Sequence, residues 1–117
     1  MTKQEVVVSL RRGHERYIVE ETVVTSLLNN GYPCRIVYAE QDFVCPKDAL
    51  AVICIEPTRE MEKSVATLLS ARHEHPDVKC VLVRHGEAKE LKPCGIHVLN
   101  PWDGTWIKNL LEILKPP

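Results

Sequence analysis

The chain has 117 residues, 44% hydrophobic and 26% charged, a balance that excludes disorder and collagen-like repetition and fits one soluble globular domain over 1–117. Its 15 basic and 16 acidic side chains leave a net charge of −1, so no global field draws it to nucleic acid or anionic lipid. No apolar run approaches the roughly 20 residues that cross a bilayer.

In chain order, strands are expected at 6–10, 35–38, 49–55, 79–83 and 96–99, each rich in Val, Ile or Leu. Near-continuous apolar runs suit a parallel sheet covered on both faces. A helix over 14–30 presents Val19, Val23, Val24, Leu27 and Leu28 as one apolar stripe. Asn30-Gly31 ends it, since glycine adopts the left-handed conformation that closes many helices. A second helix over 58–75 has Glu60 and Glu62 in its first turn and Arg72 and His73 in its last, matching the helix dipole. Met61, Val65, Leu68 and Leu69 form its stripe, and Pro76 stops it. A third over 105–114 sets Trp106, Ile107, Leu110, Leu111 and Leu114 on one face. The connections 39–48 and 84–95 are too short for a full helix and are expected to hold loops or a single turn. The pattern predicts an α/β, flavodoxin-like, three-layer domain. Its five-stranded, mainly parallel sheet has the order 2-1-3-4-5, with about three full helices and two shortened crossovers.

In such a sheet, function sits in the loops after the strands. Ser9 to His14 contains neither a G-x-G-x-x-G nor a G-x-x-x-x-G-K-[ST] pattern. Arg11 and Arg12 could meet an anion there, although a solvated turn is the plainer reading. The five cysteines, Cys34, Cys45, Cys54, Cys80 and Cys94, contain no C-x-x-C pair, and His73 and His75 point to different sides of a helix. No metal or other cofactor is expected. An odd, irregularly spaced set of thiols reads as reduced, hence a cytoplasmic setting. Residues 1–5 carry neither a signal-peptide nor a lipidation pattern. Glu56, Glu60 and Glu62 could serve as acid or base, or merely complement a helix N-terminus. Trp102 and Trp106 bracket a turn; one is expected to plug the core and the other to be an exposed anchor. Few aromatics and scattered basic residues argue against nucleic-acid binding.

Val6 to Leu10, the helix containing Tyr17 to Glu20, Asn30 to Cys34 and Glu40 to Pro46 resemble the first part of a Toll/interleukin-1 receptor (TIR) domain or its SEFIR relative. Ser9 matches the serine of the first strand, and Asp42 and Pro46 approximate the Asp-x-x-Pro-Gly loop. That loop is one residue longer here, and Lys47 stands in place of the glycine. Ile96 to Trp102 is similar to the family's last strand, and Thr105 to Leu111 to its F-W-x-x-L box, with Trp106 as the Trp. The resemblance implies a non-enzymatic protein–protein interaction domain in signalling, acting through self-association or a partner domain. Asp42, Phe43 and Pro46 would form one binding patch, with Trp102 and Trp106 on the second. It also admits a TIR-type NAD hydrolase, for which Glu62 or Glu60 would be the catalytic carboxylate.

Ala51 to Pro57 and Gly95 to Trp102 also resemble a response-regulator receiver. There Leu10-Arg11 replaces the acidic pair, Asn100 replaces the Lys, and strand three lacks the phosphoacceptor Asp. That likeness implies a phosphorylation-independent pseudo-receiver.

Overall fold

The computed structural model describes residues 4–10, 17–38, 49–55, 61–84 and 95–115, without the side chains of Tyr17, Tyr38 and 61–64. In chain order it contains β1 (Val6–Leu10), α1 (Tyr17–Asn29), β2 (Cys34–Tyr38), β3 (Ala51–Ile55), α2 (Met61–Glu74), β4 (Lys79–Val83), β5 (Ile96–Leu99) and α3 (Trp106–Leu114). The strands form one sheet in the order β2-β1-β3-β4-β5, with every pairing parallel. The α/β, flavodoxin-like expectation holds, and the sheet is wholly parallel.

All residues of β1 and β3 are buried. Strand side chains alternate between faces, so each strand contributes to two separate cores. Val8, Ile53 and Val81 belong to the core under α1 and α3. Val7, Val52 and Leu82 belong to the core under α2. The connection from β1 to β2 moves one way along the sheet, and that from β3 to β4 moves the other. With one crossover hand, α1 and α2 must take opposite faces, and they do.

Strands β1, β4 and β5 occupy the expected ranges. β2 begins one residue earlier, because Cys34 pairs with Val6. β3 begins two residues later, although Leu50 already bonds both neighbours: its N–H donates to Glu5 O at 2.8 Å, and its carbonyl accepts from Lys79 N at 3.0 Å. The connection 39–48 and all but Arg84 and Gly95 of 84–95 lie outside the described residues.

Two expected stripe positions face water instead. Leu28 is 56% exposed and Leu69 is 40% exposed. A helix turns about 100° per residue, so the neighbours Leu27 and Leu68, buried at the centre of their faces, carry the next residue out of the core. Ala71, three residues after Leu68, joins it in the core on that side.

Two glycines end or begin elements with positive φ. Gly31 has φ 80°, and Tyr32 N donates to Leu27 O at 2.9 Å while Gly31 N donates to Leu28 O at 3.1 Å. That bond pair is a Schellman motif, sealed by burial of Tyr32 and Leu27 in one core. Gly95, before β5, has φ 76°, and a β-carbon built there would overlap the Arg72 guanidinium.

α3 is held at its far end by a long-range clamp. Lys79, the first residue of β4, donates from Nζ to Ile113 O at 2.6 Å and to Lys115 O at 2.8 Å. Its ammonium thus meets the carbonyl end of the helix, where the dipole is negative. Lys79→Met is expected to lower stability by about 1–2 kcal/mol. Urea unfolding should report that loss, and hydrogen exchange should place it in the last turn of α3.

Candidate functional site

The strand order reverses between β1 and β3, and in open α/β sheets the crevice beyond the strand ends at such a point is the usual ligand position. The segments that follow there, 11–16 and 56–60, lie outside the described residues. Of the loops at the carboxyl edge, the one described throughout is Asn100 to Thr105, between β5 and α3.

Side-chain oxygens substitute for turn carbonyls in this loop. Trp102 N donates to Asn100 Oδ1 at 2.9 Å, and Asp103 N donates to Asn100 O at 3.0 Å. Asp103 Oδ1 in turn accepts from Thr105, two residues on, through both its N–H at 3.0 Å and its Oγ1 at 2.9 Å. Trp106 N then donates to Asp103 O at 3.2 Å, which starts the helix. Successive Asx turns therefore lead the chain from the sheet edge into α3. The same donors hold the Asp103 carboxyl below its ordinary pKa: the Thr105 N–H contributes most, then its hydroxyl, against a small opposing effect of burial.

The loop separates the two tryptophans. Trp106 is 9% exposed and lies in the core with Leu110 and Leu114, one and two turns further along α3. Trp102 is 82% exposed. Trp106 is therefore the core plug, and Trp102 is the exposed one of the pair. Trp106, buried in the core, contributes packing rather than open surface in this chain. Asn100 and Asp103, not singled out as site residues from sequence, are what shape the loop. Their signal in the sequence is the pair of turn dipeptides Asn100-Pro101 and Asp103-Gly104.

Asp42, Phe43, Pro46, Glu56 and Glu60 lie outside the described residues. Position 62 falls in the first turn of α2, with its side chain outside the description. Ser9 is buried on β1 opposite Cys54, so it lies within the sheet. Cys34, Cys54 and Cys80 form no disulfide; Cys80 Sγ donates to Leu68 O at 3.4 Å, and burial raises the Cys34 pKa. Among the described residues no group of three His, Cys, Asp or Glu is placed to hold a metal ion, and no helix is long and apolar enough to cross a membrane.

His97 carries an electrostatic perturbation. It sits on edge strand β5, beside Val81 of β4, and its pKa is lowered from 6.5 by burial first, then by the charges of Lys79 and Arg72.

Set against family models and curated proteins, the chain matches none.

Trp106→Ala is expected to cost about 3–5 kcal/mol by emptying a core position, while Trp102→Ala should stay within about 0.5 kcal/mol of wild type. Urea denaturation of both variants checks the contrast. His97 gives a pH prediction. The unfolded chain takes up its proton near pH 6.5, whereas the folded chain resists until the pH is lower. The stability linked to His97 is therefore complete above 6.5 and lost as the pH falls through the folded value. Urea midpoints should decline across that window, and His97→Gln should flatten the decline.

Proposed function

We propose that the chain is a non-enzymatic protein-interaction domain of TIR/SEFIR type, which acts by associating with a second copy or with a partner domain. The observation that carries this reading is Trp102, 82% exposed on a loop already ordered by Asn100 and Asp103. An indole is among the side chains that contribute most to binding when covered. Because the loop is held before a partner arrives, less conformational freedom is lost on docking.

The Asp42, Phe43 and Pro46 segment is the second part of the proposed interface. The sheet order supports the fold common to TIR and receiver domains and favours neither. Cys34, Cys54 and Cys80, which form no disulfide, are compatible with an intracellular setting for such a module.

Light scattering after size exclusion, with wild type, Trp102→Ala and Pro46→His compared over a range of concentrations, tests the proposal. Wild type is expected to associate, and each substitution to weaken association by roughly tenfold or more, as for an interface hot spot. Circular dichroism of Trp102→Ala should match wild type. A wild-type chain that stays monomeric at every concentration, and binds no TIR or SEFIR domain in a pull-down, would sink the reading. Incubation with NAD separates the enzymatic alternative: no nicotinamide release is expected, and release abolished by Glu62→Ala or Glu60→Ala would replace the interaction reading with hydrolysis.

A further inference from the structure

We propose that Asn30 is a deamidation site gated by the end of α1. The folded turn holds it as asparagine, and its conversion loosens the corner that leads into β2.

The chemistry starts from the pair Asn30-Gly31. Glycine has no side chain to obstruct its own backbone nitrogen, so that nitrogen can reach the side-chain carbonyl of the preceding asparagine. The Gly31 nitrogen attacks Cγ of Asn30; an N–Cγ bond forms and the Cγ–Nδ2 bond breaks. The proton lost by the Gly31 nitrogen leaves with Nδ2 as ammonia, which closes a cyclic imide. Water then opens the imide at either carbonyl, giving aspartate or isoaspartate at position 30. Water is the one co-reactant, and no oxidation occurs.

Both residues are exposed, so water and hydroxide reach them. The fold restrains both reacting groups. Gly31 N donates to Leu28 O at 3.1 Å, and Asn30 Nδ2 donates to Ser26 O at 2.7 Å. Attack requires the nitrogen to lose its proton and turn onto Cγ, so the Leu28 bond must break and the amide must swing away from Ser26. The same opening releases the Schellman turn, whose second bond runs from Tyr32 N to Leu27 O at 2.9 Å. The reaction in the folded chain therefore follows the population of the locally opened turn.

The product is less suited to this place than the asparagine. A carboxylate has no N–H to donate to Ser26 O. It also puts negative charge at the carbonyl end of α1, whose last turn contains no basic residue. Isoaspartate further lengthens the backbone by one carbon in a turn closed by two short-range bonds.

Incubation of the full chain in mildly alkaline buffer, folded and in urea, tests the gate. Peptide chromatography with mass spectrometry would quantify Asn, Asp and isoAsp at position 30. Asn29, followed by Asn30 instead of glycine, is the internal reference. Conversion at 30 is expected to be at least about tenfold faster in urea than in the folded chain, and ahead of position 29 in urea. Equal rates in the two conditions would overturn the gate. The Asn30→Asp variant should show faster amide exchange at Gly31 and Tyr32 and a lower melting temperature. Exchange and melting unchanged from wild type would overturn the loosening.

Discussion

Burial of the sheet on both faces is the constraint from which the architecture follows. A parallel strand in the middle of a sheet has helices above and below it, so apolar side chains are required at consecutive positions. β1 and β3 meet that demand along their whole length, with even Ser9 enclosed. The two faces then need different covers. α1 and α3 share one, with Val23, Leu27, Leu110 and Leu114 reaching the same core. α2 covers the other through Leu68 and Ala71.

The exposed loop is a by-product of seating α3. Trp106 must enter the core in the first turn of the helix, and Lys79 takes the last carbonyls at the opposite end. Between the end of β5 and Trp106 the chain has six residues in which to turn back over the sheet. Asn100 and Asp103 make that reversal by accepting backbone N–H groups two residues on. Trp102 lies between them, outside the core. A large apolar side chain thus stands in water on a backbone fixed for structural reasons, which is the physical basis for reading it as a contact surface.

Much of this architecture is legible in the residues themselves. The Val- and Ile-rich runs mark every strand, and three- and four-residue spacing marks every helix, because burial selects for those periods directly. The end of α1 is legible in Gly31, since its turn needs a positive φ. Leu28 and Leu69 are not legible as exposed. Each lies beside a leucine that is buried, and hydrophobicity cannot say which of two adjacent residues faces the sheet. Trp102 and Trp106 pose the same question: their identities do not say which is buried and which exposed.

What the sequence by itself determines is the kind and order of elements, because each depends on a local period and on the turn residues beside it. The helices' faces, the role of Lys79 and the division between Trp102 and Trp106 were decided by the tertiary structure alone. Lys79 and the carbonyls of Ile113 and Lys115 are more than thirty residues apart in the chain. No local pattern links them; they meet because α3 runs back across the sheet and ends over the start of β4. Trp106 is buried for the same reason, since it opens the helix that packs on the sheet, while Trp102 belongs to the turn that leads there.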